Sequence, residues 1–175
     1  MLECLLNNVQ DKHCKGEIMV DFERAKEEAA KVISKNFITS PPINLEEIAE
    51  GEGLNIAIAE FAQKDVSGFI DFEKKMILVN KYDSISRQRF TIAHELGHWI
   101  LHQKEIEENR DLVVLYRRPI AGEKDPLEQE ANCFAASLLV PLGFLQDVTT
   151  RKFSNREIAN IFQVSEAVIS FRIVI

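Results

Sequence analysis

The chain has 175 residues, 46% of them apolar and 28% charged, the composition of an ordinary globular domain long enough to bury its own core. Its formal net charge of −7 weighs against a protein built to grip nucleic acid, because phosphate binding relies on clustered Lys and Arg. Proteins or peptides, basic ones among them, are the expected partners.

No run approaches the roughly 20 apolar residues of a membrane span, and the start MLECLLNNVQ lacks the basic and then apolar order of a secretory signal. Cys4, Cys14 and Cys133 form an odd, scattered set rather than a disulfide framework. A cytoplasmic protein is the expectation. Residues 1–18 differ in composition from the rest of the chain, and Lys15-Gly16-Glu17 stands just ahead of Met19. That triplet is compatible with a purine-rich ribosome-binding sequence. We expect an N-terminal extension over residues 1–18, a native start at Met19, and a single domain over 19–175.

In chain order, residues 21–36 predict an amphipathic helix with Phe22, Ala25, Ala29, Val32 and Ile33 on one face. Pro41-Pro42 breaks the chain, and Asn44 with Glu47 has the spacing of a capping box. That box opens a short helix through Leu45, Ile48 and Ala49, ended by Gly51 and Gly53. Residues 54–61 and 66–72 alternate as strands do, Glu73-Lys74-Lys75 is a turn, and Met76–Asn80 is an apolar return strand. Asp83, Ser84 and Ser86 offer caps for a long helix from about Arg87 to His102. Residues 103–124 are polar and irregular apart from Leu112–Leu115. Asp125 as cap and Pro126 at the first helical position open another helix, which runs to about Val140, where Pro141 interrupts. The order predicts an α+β fold with a small, mostly antiparallel sheet.

The chemistry sits in Ala93-His94-Glu95-Leu96-Gly97-His98-Trp99. Residues four apart on a helix share a face, so both imidazoles can reach one metal ion. Glu95 lies about 100° around the helix from His94, out of the ligand set yet close enough to act as a general base on water. Two histidines leave a tetrahedral zinc one protein ligand short. Glu128, on the next predicted helix, completes a His2Glu set; Glu130 is the neighbouring alternative, and Glu128 also fits as the capping-box partner of Asp125. Asn132, one turn past Glu128, can hydrogen-bond a ligating imidazole and fix its ring.

These residues carry a resemblance. His94-Glu-Leu-Gly-His98, then Glu128-x-x-Ala-Asn-x-Phe-Ala135 and Leu138-Leu-Val-Pro141, are similar to the ImmA/IrrE family of metallo-endopeptidases. Arg87–His94 and Val66-Ser-Gly-Phe69 resemble it more loosely, and the likeness covers about residues 40–170. It implies a zincin-like domain, a zinc ion held as in gluzincins with Glu as the third ligand, and peptide-bond hydrolysis with Glu95 as base. It also implies a substrate class, the helix-turn-helix repressors of phages, mobile elements and stress regulons.

For the donor that stabilises the oxyanion, Tyr116 and His102 are candidates. Tyr116 lies between the two ligand helices. His102 continues the series from His98, but one helix cannot aim three successive turns at one ion, so His102 reads better as support or packing. Gly97 is expected to let another backbone approach closely, and Phe90 and Trp99 to pack in the core. Either Met76–Asn80 or Val66–Phe72 could be the edge strand that aligns an extended peptide.

Two competing classes remain. Residues 156–162 and 165–173, with a turn at Gln163-Val164, resemble a DNA-reading helix-turn-helix. Yet Arg151, Lys152, Arg156 and Arg172 against Glu157 and Glu166 make a thin positive excess, and Val168, Ile169, Phe171 and Ile173 suit packing better than DNA contact. A metal-binding module that grips a repressor without cutting it is the other reading, and Glu95 argues against it.

Overall fold

A computed structural model describes residues 19–63, 65–108, 125–150 and 153–174. Helix α1 (Phe22–Lys35) starts where the Asp21 side chain accepts a hydrogen bond from Arg24 N at 2.9 Å and buries Ala25, Ala29 and Val32. Asn44 caps α2 (Leu45–Gly51) through Glu47 N. Gly53, at φ 74°, then takes the left-handed backbone that turns the chain into the sheet.

Strands β1 (Asn55–Ala59), β2 (Gly68–Asp71) and β3 (Met76–Asn80) lie in the order β1-β3-β2. β3 pairs antiparallel with β2, Phe69 opposite Leu78, and parallel with β1, Ile56 opposite Ile77. The sheet is therefore mixed within the expected α+β frame. The tight turn after Asp71 makes β2 and β3 a hairpin, and the longer excursion from β1 lets β3 insert between the two. Ile77 and Val79 of the central strand are fully buried.

Helix α3 (Ile85–Glu108) outruns the span expected from sequence at its C-terminal end. Glu, Gln and Lys are strong helix formers, and buried Ile106 anchors the added turns. Asp125 caps α4 (Pro126–Leu139) by accepting from Leu127 N at 3.0 Å. Pro141 ends that run and opens α5 (Leu142–Thr149), a helix the sequence reading did not anticipate. Ser154 and Glu157 form a reciprocal capping box at the start of α6 (Asn155–Phe162), and Gln163 at φ 54° turns the chain into α7 (Glu166–Val174).

The core lies between α3 and α4, with α1 packed on α4 and the sheet against α3. Gly97 sets the crossing. A Cβ there would stand 3.1 Å from Phe134 Cδ1 and 3.2 Å from Ala131 Cα, so a side chain would press the two backbones a few tenths of an ångström apart, and glycine spares them that. Helix α7 is tied down by buried Ile169 and by Arg172, whose Nε donates to Val140 O at 3.1 Å. Among the described residues no single helix is long and apolar enough to cross a membrane.

Candidate metal centre

The close α3–α4 crossing turns one face of each helix inward at the same level. His94 Nε2 and His98 Nε2 stand 2.9 Å apart, the rings edge to face. Glu128 reaches both from α4, with Oε2 3.2 Å from His94 Nε2 and Oε1 3.3 Å from His98 Nε2. Among the described residues these three form the candidate metal-holding group. Donors around a tetrahedral ion with bonds of about 2.0–2.1 Å lie roughly 3.3 Å apart, so the spacing suits one cation at the centre of the triangle.

Asn132, one turn beyond Glu128, places its Oδ1 3.0 Å from His94 Nδ1. An amide oxygen only accepts, so His94 Nδ1 carries the proton and Nε2 turns a lone pair to the triangle. The charges around the triad add a second constraint. Burial pushes His94 towards the neutral form, but Glu128, Glu95 and Asn132 together outweigh it and hold the imidazole above its ordinary pKa. Burial also raises Glu128, yet the two histidines reverse that and keep its carboxyl well below the usual range. The negative charge of Glu128 therefore needs cations beside it, protons on the imidazoles or a metal ion in their place.

Glu95 is 8% exposed and lines the same cleft as the triad. The cleft has a volume of about 580 Å³ and is walled by α3 on one side and by Ser67, Gly68 and Phe69 on the other. Strand β2, not β3, is thus the edge beside the centre, because β3 is the middle strand of the sheet. Gly68 makes the close fit possible. A Cβ on it would lie 2.4 Å from Leu78 O and 2.6 Å from Thr91 Cγ2, contacts no side chain tolerates.

His102 is fully buried, away from the cleft, with Nε2 3.3 Å from Leu127 O and 3.8 Å from Glu130 Oε2. Burial first, then the charge of His98, lowers its pKa to about 3, so the ring is neutral. It supports the first turn of α4, where Glu128 sits, and does not face the cleft as an oxyanion donor must. Glu130 turns away from the triad and accepts from Asp21 N at 2.7 Å, fastening the start of α1 to α4. Tyr116 lies outside the described residues.

Sequence reasoning assigned Trp99 and Phe90 alike to the core. Trp99 is buried and stacks on Phe72. Phe90 is half-buried against the core and also lines the cleft, its ring centroid 6.4 Å from that of His94. One helical turn back from a ligand is where a wall residue falls, and that spacing was the signal to be read. The glycine inside the strand motif Val66-Ser-Gly-Phe69 was the corresponding signal for β2.

A paired-histidine helix, a carboxylate from a second helix and a further glutamate over an open cleft define a class, the zincin-like metallopeptidases. The IrrE N-terminal-like domain family (Peptidase_M78) matches residues 49–174, and the chain belongs to that family of metallopeptidases. The metallopeptidase ImmA of Bacillus subtilis is 28% identical over 134 residues, 74% of this chain and 75% of that protein. The radiation response metalloprotease IrrE of Deinococcus deserti is 31% identical over 102 residues, 57% of this chain but only 34% of that protein. In fold, the chain resembles a Mycobacterium tuberculosis transcriptional regulator with a TM-score of 0.62 at 14% identity, covering 86% of this chain and 46% of that one.

Proposed function

We propose that this chain is a zinc-dependent endopeptidase of the cytoplasm that cuts a helix-turn-helix repressor of a phage, mobile element or stress regulon. The observation that carries the reading is the convergence of His94, His98 and Glu128 on one point, a His2Glu set of the kind that holds catalytic zinc. Zinc held there supplies a Lewis acid that acidifies water and polarises the scissile carbonyl.

The side chains do the rest. Glu95 takes the proton of the attacking water and returns it to the leaving amine nitrogen. Asn132 keeps the His94 ring in the tautomer and orientation the ligand role requires. The open edge of β2 pairs with the backbone of an extended substrate and lays the bond to be cut across the triad. Tyr116 stabilises the oxyanion, and His102 steadies Glu128 through the Leu127 carbonyl. The repressor class rests on family resemblance and on charge, since a chain of net charge −7 attracts a basic, DNA-binding partner.

The test is metal content of the purified protein beside Glu128→Ala, followed by incubation with candidate repressors. About one zinc per chain, weakened in the variant, and a single cut in a repressor are expected. Full metal retention by Glu128→Ala would remove Glu128 from the site.

A further inference from the structure

The cleft does not end at the triad. Arg87, Phe90 and Asn132 line a second open cavity as well, of about 550 Å³, whose far wall is Ala136 of α4 with Val168 and Phe171 of α7. We propose that this cavity is a specificity subsite of the cleft, taking a large aliphatic or aromatic side chain of the peptide being cut. The inference rests on the peptidase reading and gives the C-terminal helix pair a task in it.

Three observations carry it. First, the apolar arc of α7 is wider than the core covers. Ile169 and Arg172 face inward, Arg172 bonding Val140 O, and this fixes the helix on α4. Val168 and Phe171, three apart and therefore neighbours, form the edge of that arc and line the groove, Val168 partly packed on the core and Phe171 still 44% exposed. An aromatic ring held on an anchored helix against an open apolar wall is a ready contact for an apolar side chain.

Second, the cavity continues the cleft rather than standing apart from it, since three residues belong to both. Strand β2 advances along α3 in the same sense: Arg87 Nε donates to Ser67 Oγ at 3.0 Å, and the next residue, Gly68, meets Thr91. A peptide paired on β2 therefore runs along α3.

Third, the length fits. Phe90 and Ser86 lie one and two turns before His94 on α3, about 6 and 12 Å along the axis. An extended peptide covers about 3.3 Å per residue, so the side chain in the cavity is about two to four residues from the scissile bond. Whether it precedes or follows that bond is what product sequencing reads.

The experiment uses the zinc-loaded full chain and a library of short synthetic peptides with randomised positions. Peptides captured on immobilised Glu95→Gln protein and products cut by the wild type are sequenced. We expect an aliphatic or aromatic residue enriched at one position, about two to four residues from the cut, by roughly tenfold or more. Phe171→Asp should remove the enrichment while zinc content is kept. Ala167→Trp, which fills the cavity from an exposed position, should do the same and guards against misfolding of the first variant. No apolar enrichment, no retained peptide, or enrichment that survives both variants overturns the proposal. So does a change of oligomeric state in Phe171→Asp, which would make the groove a contact between two copies of this chain. Enriched capture by Glu95→Gln without any cut by the wild type would keep the subsite and sink the peptidase reading.

Discussion

Two helix pairs in this molecule are built with similar local devices and end with opposite degrees of burial. In α3–α4, glycine at position 97 lets the backbones come together until Ala131 and Phe134 are fully buried, and His94, His98 and Glu128 converge in the seam. In α6–α7, a capping box and a left-handed turn at Gln163 make an equally regular pair. That pair meets the core along one face and leaves Phe171 and Ile173 partly in water. Reacting groups need positions fixed by packing on all sides. A surface that selects among substrates needs apolar area still free to be covered.

The first and largest way to break the comparison is Glu95→Gln. If the seam holds the chemistry, cleavage falls by about a hundredfold to ten-thousandfold with zinc content unchanged; near-normal turnover would remove Glu95 from the reaction. Asn132→Ala comes next, expected to lower metal affinity or activity by about 10–100-fold, read by competition with a chelator. Gly97→Ala should cost about 1–3 kcal/mol of stability in urea unfolding, because the obstructing atoms include the Ala131 backbone. A neutral result would mean the crossing is looser than the distances imply.

A fourth measurement concerns pH. His102 has a folded pKa of about 3 against roughly 6.5 when unfolded. Its neutral, buried form is fully stabilising above pH about 6.5, and that stability is lost as pH falls towards 3. Between pH 7 and 5 the metal-free protein should lose about 2 kcal/mol from this group. His102→Gln should flatten that slope, and equal slopes in the two proteins would refute the account. The smallest effect sharpens the contrast of caps: Asp125→Ala should cost about 1 kcal/mol and weaken zinc binding slightly, as it loosens the turn carrying Glu128. Ser154→Ala, on the other pair, should cost a similar amount and leave zinc binding alone.

Much of the frame was legible from neighbouring residues. Asn44, Asp125 and Ser154 each accept from the backbone at the helix starts their spacing predicted, because a cap is written within one turn of chain. The pairing of His94 with His98 is equally local, and Gly97 carried its meaning beside them. What lay beyond reach was non-local. No residue of Met76–Asn80 announces that β3 will be the middle strand, since strand order depends on which partners the rest of the chain supplies. That Phe90 packs on the core was legible because an apolar residue on a helix is ordinarily covered; that its other side borders a cleft depends on the position of β2.

The amino-acid sequence by itself determined most of the helices and their caps, the paired histidines and the family resemblance, all set by contacts within a turn or by a motif of fixed spacing, though not helix α5 or the last turns of α3. The tertiary structure decided which carboxylate of α4 turns to the imidazoles and which turns to Asp21 N. It also decided that β2 borders the cleft and that α7 closes a second cavity beside it. Those outcomes depend on how close two helices can pack, and that distance is set by side chains far apart in the chain.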